Sequence, residues 1–159
     1  MKRLPLRLIS VVIVMTVLFA WGAPASATEL FIPEVRGKVG QTIELPLMID
    51  QIDNMAGIKV VVTYDADTLE YKSAVKSSQT TSLMHIVNDR KPGQLIIVMA
   101  GANGIQGKNF SIMTLSFHVK KLHKGEPEDL IAFAEIQMMS DQLKEIKSHT
   151  RVYPIRLSL

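Results

Sequence analysis

Apolar and polar side chains alternate with a period of two through most of residues 28–159, and no stretch carries the 3.6-residue period of a long helix. In "QTIELPLMID", Ile43, Leu45, Leu47 and Ile49 share one face, while Thr42, Glu44, Pro46 and Met48 share the other. A strand with one apolar side is half-buried. Pro46 has no N–H to give a ladder, which predicts an edge or a bulge there. In "GIKVVVTYD", Ile58, Val60, Val62 and Tyr64 oppose Lys59, Val61 and Thr63. "QLIIVMA" is apolar on both faces, with Leu95, Ile97 and Met99 on one side and Ile96, Val98 and Ala100 on the other. "FSIMTLSFHVK" changes phase between Ile112 and Leu115, which predicts a bulge near Met113. "LIAFAEIQMM" and "RVYPIRLSL" read as further strands, the second with Tyr153, Ile155, Leu157 and Leu159 on one face.

Turn-forming clusters separate these runs: Gly37 and Gly40, residues 50–54 and 65–67, Pro92-Gly93, Asn103-Gly104 and residues 125–127. A short helix over residues 140–148 is the one helical expectation. Many short strands without long helices imply an all-β sandwich.

The first 27 residues belong to a different regime. Lys2, Arg3 and Arg7 precede an apolar run over residues 8–23, and Ala25-Ser26-Ala27 supplies small residues where a signal peptidase reads. The run is shorter than the ~20 apolar residues of a spanning helix. The expectation is a cleaved secretory leader over 1–27, a single domain over 28–159, no membrane span after cleavage, and export to the periplasm or the exterior. The chain has 18 basic and 15 acidic residues, and three of the basic ones lie in the leader, leaving 15 of each. A neutral domain has no general electrostatic claim on nucleic acid. With no cysteine, neither a disulfide nor a lipidated thiol is available, and burial must hold the fold.

Catalytic patterns are missing. No G-x-S-x-G elbow occurs, and "GANGIQG" lacks the helix and the Lys-Ser pair of a phosphate loop. His118 and His123 have a loose H-x4-H spacing without further ligands and read as solvated. Asp50, Asp53, Asp65 and Asp67 could offer oxygens to calcium, yet not in EF-hand order. The "YDADTLE" corner reads instead as structure: Asp65 and Asp67 accept backbone N–H groups, and Leu69 re-enters the core, with Tyr71 either following it or staying outside. The chain is expected not to be an enzyme.

"VRGKVGQTIELPLMI", "NMAGIKVVVTYDADTLEY" and "GQLIIVMAGANGIQGKNFSIMTLSFHVK", in that order and spacing, resemble the cohesin domain over residues 32–119 and more loosely to 159. The resemblance implies a nine-stranded sandwich of jelly-roll topology. It implies a function without chemistry, the binding of a dockerin on another protein, in assemblies that degrade polysaccharides. It implies no cofactor in this chain, the calcium belonging to the dockerin. Many scaffold cohesins carry Asn and Asp on the outer face of the glycine-centred strand; Gly57 and Lys59 stand there in this sequence.

In a two-layer sandwich the outer sides of "GIKVVVTYD" and "QLIIVMA" form one surface. Gly57, Lys59, Val61, Thr63, Ile96, Val98 and Ala100 are therefore the expected protein-binding residues. Either this apolar strip is bare and binds a protein, or a loop or the C-terminal segment covers it. Two other classes stay open. Sugar binding is one. Trp21 lies in the leader, Phe31, Phe110, Phe117, Phe133, Tyr64 and Tyr153 fall on expected core faces, and Tyr71 is the one ring expected outside. A flat aromatic platform is not expected, but polar loops remain available. The other is a structural block of an envelope or secretion assembly, joined by strand addition.

Overall fold

The computed structural model describes residues 27–159. The leader expected over 1–27 lies outside them except for Ala27. Nine strands follow in order: β1 (Thr28–Ile32), β2 (Val35–Lys38), β3 (Thr42–Tyr64), β4 (Leu69–Lys76), β5 (Met84–Asn88), β6 (Gln94–Val119), β7 (Ile131–Ser140), β8 (Ser148–Val152) and β9 (Ile155–Ser158). Two 3-10 turns, Ser78–Thr80 and Pro127–Asp129, are the helical pieces among the described residues.

The architecture is a β-sandwich of nine strands in two hydrogen-bonded sheets, seven strands in one and the parallel pair β2–β9 in the other. The two longest strands, β3 and β6, pair antiparallel along nearly their whole length. Their register breaks between Ile52 and Met55 and again between Met55 and Gly57, which bends the large sheet over on itself. Residues 42–52 of β3 face 107–118 of β6, flanked by β1 and β8 on one side and β4 on the other. Residues 57–63 of β3 face 94–100 of β6, flanked by β7 and β5.

This bend revises the expected turns at residues 50–54 and Asn103-Gly104. Both lie inside strands, at the crossing between layers. Asn54 adopts φ 60 there, a left-handed conformation that Asn tolerates better than most residues. A Cβ on Gly104 would sit 1.7 Å from the Asn54 amide oxygen, so only glycine fits opposite it. The polar residues that looked like loop chemistry serve a bend within continuous strands, where Asp53, Asn54, Asn103 and Gly104 fall in the gaps of the β3–β6 register.

The inward sides fill one core. Ile43, Leu45, Leu47 and Ile49 meet Val60, Val62, Leu95, Ile97, Met99 and Phe117, all buried. The expected bulge is present. Leu47 pairs with Met113 and Met48 with Ser111, so Ile112 is the extra residue, and both Ile112 and Met113 are buried. Thr80 fastens it, its buried hydroxyl donating to the Ile112 carbonyl at 2.8 Å. Pro46 lies beside that register shift and beyond the last β1 partner of β3, where no N–H is missed.

The helix expected over 140–148 is absent. The chain makes a tight reversal instead, with the Ser140 N–H bonded to the Lys144 carbonyl, Leu143 at φ 58, and Met139 bridging to Glu145. The final run is two strands rather than one, broken at Tyr153 and Pro154. Tyr153 consequently sits outside, with Phe31 against its ring and the Arg151 guanidinium above it. No helix among the described residues is long and apolar enough to cross a membrane.

Candidate functional site

The residues expected to bind protein come together on the outer side of β5–β6–β3–β7. Cross-strand register arranges them in rows. Met84, Ala100, Gly57 and Met139 form one row; Ile86, Val98, Lys59 and Gln137 the next; Asn88, Ile96, Val61 and Glu135 the third. Gln94, Thr63 and Ala132 extend the face by a fourth. Strands about 4.8 Å apart and rows about 6.8 Å apart make a surface of roughly 14 by 20 Å between backbone centres. The inward partners Leu95, Ile97 and Met99 are buried, so the alternation of β6 is as the sequence indicates.

Exposure divides the face. Met84 is 79% exposed, Ile86 70%, Met139 41% and Val98 40%. Ala100 is exposed, and Ile96, Gly57, Lys59 and Thr63 are half-buried. Val61 departs from the expectation: it is 6% exposed. It occupies the middle of the sheet with Ile96 on one side and Glu135 on the other. Lys59 Nζ and Glu135 Oε1 meet at 2.8 Å beside it. Val61 belongs to the support of the face and offers little contact area of its own.

The same ion pair sets the electrostatics. Lys59 and Glu135 are each 40% exposed and compensate one another. They are the charged residues of these rows, so the apolar side chains carry the face.

Sequence reasoning missed Met84 and Ile86 entirely, because "MHIVN" is five residues long and lies next to polar turns. It also missed the placement of Glu135, Gln137 and Met139. Here β7 has a register shift: Glu135 opposes Val61 and Phe133 opposes Val62, leaving Ala134 extra. A strict period of two cannot anticipate which side of such a shift faces out.

The "YDADTLE" corner, at one end of the same layer, is structural and richer than expected. Asp65 Oδ1 accepts the Asp67 N–H at 2.9 Å, and Oδ2 accepts the Thr68 hydroxyl at 2.6 Å. His123, expected in solvent, is mostly covered. Its Nδ1 donates to the same Oδ2 at 2.9 Å, and its buried Nε2 has no partner among the described residues. The Thr68 hydroxyl bond, together with those from His123 and the Asp67 N–H, outweighs burial and holds the Asp65 carboxyl down at about 2. Asp67 does not act as expected; its exposed carboxylate reaches Lys121 at 3.6 Å. Leu69 is buried and Tyr71 is half-buried against Phe117. Asp50 accepts the Glu29 N–H at 2.8 Å. Among the described residues no three His, Cys, Asp or Glu side chains group closely enough to hold a metal.

Comparison with known proteins fits this geometry. Residues 28–153 match the family model described as the cohesin domain. A non-cellulosomal cohesin from the hyperthermophilic archaeon Archaeoglobus fulgidus superposes with a TM-score of 0.72 at 19% identity, covering 84% of this chain and 93% of that one. The sixth cohesin of scaffoldin B from Acetivibrio cellulolyticus, solved with a Cel5 dockerin mutant, gives 0.70 at 20% identity, covering 84% and 99%. The cohesin of the type I Coh-OlpA–Doc918 complex from Clostridium thermocellum gives 0.70 at 14% identity, covering 84% and 100%. No curated protein matches the sequence.

Proposed function

The chain belongs to the cohesin family, whose domains are non-catalytic binding modules, and on that premise we propose that it is an exported docking module that holds a dockerin-type protein on its β5–β6–β3–β7 face. The observation that carries this reading is the outer surface on which Met84, Ile86, Val98 and Met139, in two adjacent rows, stand exposed. A contiguous exposed apolar patch is uncommon on a monomer and marks an interaction site. Gly57, Lys59, Thr63, Ile96 and Ala100 frame it, and Val61 supports it from beneath. The calcium of such a complex belongs to the dockerin. The assembly serves polysaccharide degradation, and the leader over 1–27 delivers the domain outside the cytoplasm.

Relatives of the same fold have been solved bound to dockerins. Where the resemblance leads one to expect the Asn and Asp of many scaffold cohesins, this face has Gly57 and Lys59, the latter already paired with Glu135. Partner contact here rests on apolar burial. The test is affinity capture from the secreted fraction with and without calcium. The expected catch is a dockerin-bearing protein with a polysaccharide-active domain, retained with calcium and lost with chelator; a catch indifferent to calcium and free of dockerins refutes the reading. N-terminal sequencing of the exported protein is expected to begin at Thr28.

A further inference from the structure

A cleft of about 200 Å³ opens at the end of the sandwich beside the "YDADTLE" corner, lined by Tyr64, Glu70, Tyr71, Asp89, Pro92 and Lys120 among others. Its walls are built rather than incidental. Tyr64 and Tyr71 both make T-shaped contacts with the buried Phe117, with ring centres 5.0 and 5.8 Å away. Lys120 is tied back by its N–H to the Thr68 carbonyl and by its Nζ to the Ala66 carbonyl. Glu70 is compensated by Lys72 at 2.8 Å. Asp89 has no ion-pair partner among the described residues, and it comes from the β5–β6 connection, so three chain segments converge on the cleft.

The chemistry of the lining narrows what fits. Carboxylates oppose an anion and Lys120 opposes a cation, while the charged rim disfavours a purely apolar guest. The volume lies below the several hundred Å³ of a drug-sized site, which leaves room for one ring. A neutral ring with an apolar C–H face and a rim of hydroxyls satisfies all of these: the face lies on tyrosine, and the hydroxyls donate to carboxylate and accept from ammonium. Burial, and after it the Asp89 carboxylate, raises the Tyr71 hydroxyl above its ordinary value, so it stays a neutral donor toward that rim.

We propose that this cleft is a glycan-binding subsite that takes one pyranose unit of a polysaccharide, with Tyr71 as the stacking surface and Asp89 and Lys120 as the hydroxyl partners. It is separate from the docking face and does not depend on that reading.

The test is an NMR titration of the purified protein with glucose, xylose, galactose and N-acetylglucosamine and with cello- and xylo-oligosaccharides, each at about 50 mM, which saturates a millimolar site. Saturable shifts are expected at Tyr64, Tyr71 and Asp89, and none at Ile86 or Val98. Asp89→Asn is expected to weaken binding about 10-fold or more, the scale of a hydrogen bond to a charged group, with an unchanged melting temperature because Asp89 is exposed. Ile86→Asp is expected to bind sugar like the wild type even where it loses its protein partner. Absence of a saturable shift with every sugar overturns the proposal, as do shifts that avoid the cleft or undiminished binding by Asp89→Asn.

Discussion

Two substitutions to the same residue, on the same face, should part company. Val61→Asp places a carboxylate at a position only 6% exposed, directly opposite Glu135. It forfeits about 1.5 kcal/mol of apolar burial and adds a buried charge facing a like charge across the ladder, about 2 kcal/mol or more. The sum, about 4 kcal/mol, lowers the melting temperature of a domain this size by roughly 10–20 °C. Ile86→Asp starts from a side chain 70% exposed on the edge strand β5. It gives up less than about 1 kcal/mol of burial, or roughly 3 °C. Calorimetry, with urea titration followed by far-UV circular dichroism, reads both. A large loss in Ile86→Asp would mean that β5 is not free on its outer side. A neutral Val61→Asp would mean that the row geometry is wrong and that Val61 is accessible.

Other consequences are as direct. Asp65 has its carboxyl lowered from 3.8 to about 2. A depressed carboxylate stabilises the fold above its unfolded value and loses that contribution as pH falls through the folded one. The unfolding free energy of the wild type from urea titration should therefore drop between about pH 4 and pH 2, by about 1–2 kcal/mol after allowance for partial exposure, and Asp65→Asn should flatten that segment; an unaltered slope contradicts the bonding at the corner. Gly104→Ala must displace Asn54 at the bend and should cost about 2–3 kcal/mol by overpacking. Gly40→Ala, with open space around it at φ 84, should cost only the left-handed penalty of about 1–2 kcal/mol, and equal losses would count against the tight contact. Thr80→Val should cost about 1 kcal/mol by removing the hydroxyl donor to the Ile112 carbonyl, which keeps only the longer bond from the Ser77 N–H at 3.3 Å, seen as a lower melting temperature with an unchanged fold; a neutral result would show that the bulge needs no hydroxyl anchor.

The inner faces of β3 and β6 were legible because burial on one side of a pleat imposes a strict period of two: Ile43 to Ile49 and Leu95 to Met99 read directly as core. The Met113 bulge showed itself as a change of phase, and Pro46 marked a missing donor. What the pattern hid was long-range. Asn54 and Gly104 carry turn chemistry but serve a bend within continuous strands, a distinction made by their contact with each other. Val61 alternates outward correctly, yet its burial depends on neighbours from β6 and β7. Tyr71 and Tyr153 exchanged roles, since one packs on Phe117 and the other follows the break before Pro154 outward. His123 is placed by the fold-back of its loop onto Asp65, 58 residues away, which no local pattern records. Of the outer face of β5–β6–β3–β7, the β3 and β6 positions were readable, whereas the placement of Met84, Ile86 and Met139 required the strand order.

The proposed docking mode requires the exposed rows of β5 and β6 to hold the partner. Immobilised wild-type protein and Ile86→Asp, challenged side by side with a panel of calcium-loaded dockerins, measure this directly. The wild type is predicted to retain at least one dockerin. The variant should retain it at least about 100-fold more weakly, since a lost isoleucine contact is compounded by a desolvated carboxylate, while melting as the wild type does. Equal retention by the two proteins, or a panel from which the wild type holds nothing, contradicts it.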